Sequence, residues 1–204
     1  MIILLDCSYK AKDSNSKYFL EILKENLEKD KDQKCVIMEL KQVMAGSGQR
    51  NEFVEALHQA DTLVLGAPLY VDGLPAQVVK LLELLLESCQ GKFWDLGVYV
   101  VSNLGFYESK QIRHMLDMVR NWCMRMGTRY GGGLAIGAGP LVRSVGPHKK
   151  LKEAFSTMAN AIAEKESMGN VFCDPAVPRS VYIKAAHMSF RKTAKKNQLN
   201  PGEI

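Results

Sequence analysis

Apolar runs and helix-like apolar periodicities alternate along most of this chain. Five short apolar segments are typical of strands covered on both faces, at residues 2–5, 35–40, 62–65, 97–102 and 134–136. Between them, apolar residues at helical spacing predict helices over residues 14–27, 51–57, 75–86, 112–126 and 151–162. Glycine-rich stretches at 45–50, 131–133 and 137–140 are predicted to be loops, and a last helix is expected over 181–195.

Five successive strand-then-helix units predict an α/β fold. We expect a doubly wound, five-stranded parallel sheet with strand order 2-1-3-4-5 and helices on both faces. Residues 1–170 would form this domain, and residues 171–204 would form a basic C-terminal helical extension. In this winding the ligand crevice opens at the carboxyl ends of the strands, beside strands one and three. Because the fold alone does not assign a function, the loops that follow these strands carry the functional prediction.

The predicted helix at 75–86 is unusually apolar. Leucine and valine occupy nearly all of its sides, which is more apolar surface than a sheet alone can cover. We therefore expect a second copy of the chain to cover the remainder, in a homodimer or homotetramer.

The composition is that of an ordinary globular protein, with 47% hydrophobic and 24% charged residues among 204. The five cysteines are scattered, without a CxxC pair or the spacing of a zinc or cluster site, so neither a disulfide framework nor a metal site is expected. This cysteine usage favours a reducing, cytoplasmic setting. The first residues lack the features of a signal peptide, and no apolar stretch reaches the length of a membrane helix.

The net charge of +5 is concentrated near the C terminus. Six basic residues lie between Arg179 and Lys196 with no acid among them, and the rest of the chain is close to neutral. Such a segment can bind nucleic acid, anionic lipid or an acidic partner, or it can form a solvated helix face. No aromatic-rich nucleic-acid motif accompanies the charge, so the solvated helix is favoured and a nucleic-acid partner is not expected.

The loop after the first strand is rich in hydrogen-bond donors. Residues 7–16 include three serines, an asparagine and two lysines, and they lead into a helix whose first N–H groups lack backbone partners. Such donors and the helix dipole favour an anion, and a single phosphate fits because neither GxxxxGK[ST] nor GxGxxG is present. The alternative is that serine and asparagine only cap the helix.

Two later loops are suited to contact a flat ligand. The loop 66–75 has a backbone made rigid by glycines and prolines, and its Tyr70 can stack on a ring or donate its hydroxyl. A structural turn with a surface tyrosine is the alternative there. The loop 102–108 offers the Ser102 and Asn103 side chains and close backbone approach at Gly105.

These segments resemble the flavodoxin-like NAD(P)H-dependent FMN reductases over roughly residues 1–170. The run Asp6-Cys7-Ser8-Tyr9-Lys10 through Ser14-Asn15-Ser16 is similar to the family's Gly-Ser-Pro-Arg/Lys loop ending in Ser-x-Ser/Thr, with Cys7 and Tyr9 replacing Gly and Pro. The more specific match is Ala-Asp-Thr-Leu-Val-Leu-Gly-Ala-Pro-Leu-Tyr at 60–70, followed by Lys80, which is similar to the family's AD-x-hydrophobic-x-x-x-P-x-Y signature. Residues 102–107 loosely match the family's small-residue loop after strand four.

The resemblance implies a flavodoxin-like fold that binds FMN and uses NAD(P)H as co-substrate. It implies that the FMN phosphate is held by Ser8, Lys10, Ser14, Asn15 and Ser16. It implies that the isoalloxazine ring is bordered by Pro68, Leu69, Tyr70, Val71, Asp72, Gly73, Ser102, Asn103, Gly105, Phe106 and Tyr107. Arg113 and Arg143 are candidates for binding the 2′-phosphate of NADPH.

The implied reaction passes hydride from nicotinamide to FMN and on to a small acceptor such as a quinone, flavin, metal ion, or nitro or azo compound. No acid or base side chain is required, so no catalytic residue is assigned, and backbone N–H groups of 70–73 and 103–105 are expected to stabilise the reduced flavin. Two alternatives share the fold. A flavodoxin-type electron carrier typically presents an acidic face, which the net charge of +5 disfavours. A binding or regulatory protein with weak or no FMN affinity is suggested by the altered first loop.

Overall fold

The computed structural model describes residues 1–9, 14–31 and 33–200. Its centre is a parallel sheet of six strands: β1 Ile2–Asp6, β2 Cys35–Glu39, β3 Thr62–Pro68, β4 Gly97–Asn103, β5 Arg129–Ile136 and β6 Gly169–Cys173. The strand order is β2-β1-β3-β4-β5-β6, and each neighbouring pair is parallel. The doubly wound α/β architecture is therefore confirmed, with one strand more than the sequence predicts.

Helices cover both faces of this sheet. The described residues form α1 Asn15–Lys31, α2 Leu40–Val43, α3 Ser47–His58, α4 Ala76–Cys89, α5 Arg113–Met126, α6 Gly139–Val145, α7 Lys149–Ala163 and α8 Arg179–Lys196, with a short 3₁₀ helix at Ser109–Ile112. Apolar residues of α1, α6 and α7 pack on one face, and those of α2 to α5 pack on the other.

The apolar residues on the two faces of the sheet form two clusters, and successive side chains of a strand belong to alternate clusters. In β1, Ile2 and Leu4 contribute to the cluster under α1 and α7, whereas Ile3 and Leu5 contribute to the cluster under α2 to α5. All four side chains are buried. Burial on both faces is the reason that this strand reads as a continuous apolar run in the sequence.

The sixth strand is the main correction to the predicted fold. β6 pairs with β5 from Gly132 opposite Gly169 to Ile136 opposite Cys173. As an edge strand it is only partly buried before Cys173, so it lacks the long apolar run that marks the inner strands. It spans residue 170, where the sequence places the border between domain and extension, and that division stays a prediction.

The glycine-rich segments for which the sequence predicts loops are largely regular structure. Residues 131–133 lie inside β5, where Gly132 has a φ of 120° and a Cβ added there would lie 2.1 Å from the carbonyl oxygen of Gly169. Glycine at this position therefore permits close strand packing rather than mobility. Residues 137–140 run directly into α6, and residues 47–50 form the first turn of α3.

Helix α4 is better covered than its composition suggests. Five of its apolar residues are buried, namely Val78, Leu81, Leu82, Leu85 and Cys89. Leu84 and Leu86 are half-buried, and Leu84 lies with Phe53 and Val54 of α3 around a shared cavity. The single chain thus covers much of this helix, and the oligomeric state stays a prediction.

Asp61 of the sequence signature lies at the amino edge of the sheet. Its Oδ1 accepts a hydrogen bond from Lys165 Nζ at 2.8 Å, and its Oδ2 accepts one from the N-terminal ammonium of Met1 at 2.6 Å. These hydrogen bonds, that of Lys165 first, lower the pKa of Asp61 to about 2. Asp61 therefore links the N terminus, directly before β1, to the turn that follows α7.

The helix predicted over 181–195 is confirmed as α8. Among its residues only Ala194 is buried, and Met188 and Phe190 are each 72% exposed. No helix in the described ranges combines the length and apolarity needed to cross a membrane.

Candidate functional site

Asn103 joins the three predicted loops at the carboxyl edge of the sheet. It ends β4, and only 4% of it is exposed. Its carbonyl oxygen accepts the N–H of Leu69 at 2.9 Å, directly after Pro68 ends β3. Its Nδ2 donates to Ser16 Oγ at 3.0 Å, in the first turn of α1. The structure thus brings together the three segments that the sequence predicts to converge.

The first loop is organised around a carboxylate that ends β1. Asp6 Oδ1 accepts the backbone N–H of Ser8 at 3.0 Å and the hydroxyl of Ser14 at 3.2 Å. Ser14 Oγ also caps α1, because it accepts the N–H of Lys17 at 3.1 Å. Of the residues assigned to a phosphate, Ser8, Ser14 and Ser16 are buried, Asn15 is half-buried, and Lys10 lies outside the described residues.

The second loop ends in a tight hairpin turn. Tyr70 and Gly73 exchange backbone hydrogen bonds of 3.1 and 3.0 Å, and Val71 and Asp72 between them have φ values of 45° and 62°. This left-handed conformation is costly for a β-branched valine, and such strain is concentrated at functional sites. Val71 is fully exposed and Tyr70 is half exposed. The N–H groups of Val71 and Asp72 have no backbone acceptor among the described residues.

The third loop is held by backbone hydrogen bonds to the segment that follows β5. The N–H of Leu104 donates to the Ile136 carbonyl at 3.2 Å, and the N–H of Ala138 donates to the Phe106 carbonyl at 2.6 Å. Phe106 is 69% exposed, and within the described chain the N–H of Gly105 has no backbone acceptor. The loop is therefore fixed by backbone hydrogen bonds on both sides of Gly105, whose own N–H is not used by the backbone of the described residues.

Two predicted ring contacts have their side chains engaged within the protein. Ser102 is fully buried, and its hydroxyl donates to Met115 Sδ at 3.5 Å. Tyr107 donates its hydroxyl to the Val177 carbonyl at 2.8 Å. A contribution of these two residues to a ligand site stays a prediction.

The C-terminal segment lies against the third loop. The rings of Tyr182 and Tyr107 are 5.7 Å apart, and the Tyr182 hydroxyl donates to the Gly105 carbonyl. Arg179 pairs with Glu108 at 2.6 Å, and its hydrogen bond lowers the pKa of that carboxyl. Sequence reasoning assigns this segment only to an extension, because no local pattern encodes which loop it contacts.

An open cavity of about 640 Å³ lies beside the turn of the second loop. It is lined by Asp72, Lys110, Gln111, Arg113 and His114. Lys110, Arg113 and His114 are exposed, and no ion pair within the described residues engages them. Arg113 thus keeps its candidacy for a nucleotide phosphate, whereas Arg143 lies 5.8 Å over the Tyr18 ring and does not line this cavity.

Cys7, which stands where the family has glycine, is not an activated nucleophile. It is fully buried, and burial raises the pKa of its thiol. Residues 1–9, 14–31 and 33–200 contain no group of three histidine, cysteine or acidic side chains that could hold a metal ion.

Asp6 is the residue of this site that sequence reasoning missed. It belongs to the loop motif of residues 6–16, in which the resemblance assigns the phosphate to serine, asparagine and lysine side chains and not to this carboxylate. The available signal was an acidic residue directly after a fully apolar strand, at the edge where the anion was expected. Burial, the largest cause, raises the pKa of Asp6, and Glu39 adds to the rise.

Comparison with known proteins identifies the fold rather than the function. No protein-family model matches the sequence, and the curated proteins yield no relative. An NADH:FMN oxidoreductase in its apo form is similar with a TM-score of 0.64 and 16% identity, over 82% of this chain and 90% of that chain. RosB with bound 8-demethyl-8-formylriboflavin-5′-phosphate has a TM-score of 0.64 and 12% identity, over 80% and 79%. A flavodoxin from Streptococcus pneumonia TIGR4 has a TM-score of 0.58 and 15% identity, over 80% and 97%.

These similarities show that the chain has a flavodoxin-like fold. They confirm the architecture implied by the sequence resemblance, apart from the added edge strand. Since the identities lie between 12% and 16%, the roles of individual residues rest on the geometry described above.

Proposed function

We propose that this chain is a flavin-dependent oxidoreductase that binds FMN, accepts hydride from NAD(P)H and passes it to a small acceptor such as a quinone, free flavin, metal ion, or nitro or azo compound. The observation that carries the proposal is the Asn103 junction, which holds three donor-bearing loops around one edge of the sheet. The similarity in fold to an NADH:FMN oxidoreductase supports it. The proposed setting is the cytoplasm, where the five buried free thiols stay reduced.

In this proposal each loop binds a different part of FMN. The start of α1, with Asn15 and Ser16, is proposed to bind the phosphate, and Lys10, which lies outside the described residues, is proposed to contribute its charge. The N–H groups of Val71, Asp72 and Gly105 donate to the oxygen and nitrogen acceptors on the edge of the ring, and Tyr70 lies against its face.

The bound flavin supplies the hydride-transfer chemistry. The chain itself contributes binding, orientation and fixed donors that stabilise negative charge at the ring edge. Backbone donors need no proton exchange for this role, so no acid or base side chain is assigned. The fit at the ring edge is good because the backbone of the described residues does not use these N–H groups.

Titration of the purified full-length chain with FMN tests the proposal. We expect quenching of flavin fluorescence on binding, and oxidation of NADH or NADPH by the loaded protein when a quinone or an azo dye is present. A chain that does not bind FMN contradicts the proposal. A chain that binds FMN but leaves both nicotinamides unoxidised is instead an electron carrier.

The cationic side chains beside the second loop are proposed to bind the phosphates of the nicotinamide nucleotide. Arg113→Ala is expected to raise the KM for NADPH about fivefold and to leave kcat within about twofold, because one charge-assisted hydrogen bond to a phosphate contributes about 1 kcal/mol. Steady-state kinetics of the FMN-loaded protein measure this. Arg125→Ala is the matched control, since Arg125 lies at the other end of the same helix. Equal KM values for the two variants would exclude this role.

A binding or regulatory protein is the second candidate function. The observation that favours it is the Asp6 carboxylate, which already accepts hydrogen bonds from two groups assigned to the phosphate. If this second function is correct, we expect the purified protein to be colourless and not to bind added FMN.

A further inference from the structure

Asp6 places a carboxylate of the protein in the proposed phosphate cradle. It is the last residue of β1 and is 4% exposed. Its Oδ1 accepts hydrogen bonds from the N–H of Ser8 at 3.0 Å and from the hydroxyl of Ser14 at 3.2 Å. A phosphate that approached these donors would compete with an anion that is covalently fixed beside them.

Within the part of the chain that the structure describes, the charges around Asp6 do not cancel its own. Glu39 is its register partner on β2, and Lys17 of α1 is engaged by Glu39 at 2.9 Å. No basic side chain of the described residues forms an ion pair with Asp6. Lys10, Lys12 and Asp13 lie outside the described residues. The described surroundings therefore offer a phosphate dianion repulsion as well as hydrogen bonds.

We infer that Asp6 limits the contribution of the phosphate to flavin binding, so that the chain takes flavin as an exchangeable ligand and binds riboflavin about as tightly as FMN. The inference rests on the proposed function. The ring would then supply most of the affinity, through the second and third loops. The residue at position 6 would decide whether the protein distinguishes phosphorylated from unphosphorylated flavin.

Asp6→Asn tests this inference with little change in shape. An asparagine Oδ1 still accepts from Ser8 and Ser14, but the negative charge is gone. We expect FMN to bind about tenfold more tightly to this variant than to the wild-type chain, and riboflavin affinity to change less than about twofold. Both affinities are measured by quenching of flavin fluorescence on the full-length chain.

Glu39→Gln is the matched control. It removes the same charge from the neighbouring strand, at a side chain that is 40% exposed and paired with Lys17. We expect it to change the FMN to riboflavin affinity ratio by less than about twofold, because an exposed paired charge acts weakly. Thermal melts of all three proteins establish that the fold is kept, and Asp6→Ser provides a second neutral variant if the asparagine variant unfolds.

The outcomes separate the inference from the proposed function. An FMN to riboflavin ratio that stays at its wild-type value in Asp6→Asn and Asp6→Ser overturns the inference and leaves flavin binding intact. A wild-type chain that prefers FMN over riboflavin by about a hundredfold overturns it as well. If neither flavin binds to any variant, the proposed function fails and the inference fails with it.

Discussion

Gly137→Ala is expected to lower the free energy of unfolding by about 3 kcal/mol and to abolish FMN binding. Gly137 follows β5 directly beneath the third loop. A Cβ added to it would lie 2.1 Å from the carbonyl oxygen of Tyr107 and 3.2 Å from the backbone nitrogen of Ser109. Because both contacts are with backbone atoms, no side chain can rotate away, and the whole loop must shift. The N–H of Gly105 would move with it.

Urea unfolding and FMN titration measure the two effects of Gly137→Ala. Gly105→Ala is the matched control for stability, because a Cβ added at Gly105 has no atom within 4 Å. We expect its free energy of unfolding to stay within about 0.5 kcal/mol of the wild-type value. A Gly137→Ala protein with unchanged stability and unchanged FMN affinity would show that the third loop is neither tightly packed nor part of the site.

Asn103→Ala is expected to weaken FMN binding about thirtyfold and to lower the free energy of unfolding by about 2 kcal/mol. The substitution removes the donor to Ser16 Oγ and leaves that buried hydroxyl without this partner. The end of β4 would lose a side-chain link to the start of α1, and the third-loop N–H that we propose to contact the flavin ring would no longer be held in place. Isothermal titration with FMN and urea unfolding check the two values.

A double-mutant cycle with Ser16→Ala isolates the role of this hydrogen bond. If the bond couples the loops, the two substitutions are expected to be non-additive by about 1 kcal/mol in both measurements. Additive effects would mean that Asn103 acts through its own packing rather than through Ser16.

The inner strands could be predicted because burial on both faces requires a continuous apolar run in the local sequence. β1, β3 and β4 carry unbroken apolar runs at the predicted positions, since both of their faces lie against helices. The edge strand β6 has no such apolar run, because Cys173 is its only buried residue. The loop predicted at 131–133 is wrong because glycine, which frequently marks a loop, here allows the backbone of Gly169 to approach Gly132 closely.

The convergence of the three loops could also be predicted, because parallel topology brings the carboxyl ends of β1, β3 and β4 to one edge. The hydrogen-bond acceptor of each side-chain donor could not be predicted. The resemblance assigns Ser14 to a phosphate, whereas in the structure its hydroxyl donates to Asp6. The Ser102 hydroxyl, assigned to the ring border, donates to Met115 Sδ. Hydrogen-bond partners depend on side-chain directions and distances that sequence spacing does not contain.

By itself, the sequence determined the winding of the sheet, the convergence of three loops and the basic solvated helix α8. These properties follow from hydrophobic periodicity, strand-to-helix order and local charge, which are all short-range features of a chain. Only the tertiary structure decided that Asp6 accepts hydrogen bonds from the first loop, that Asn103 joins the loops, and that Val177, Arg179 and Tyr182 contact the third loop. Each of these depends on residues distant in sequence meeting at hydrogen-bond distance, and such meetings are set by the packing of the whole fold.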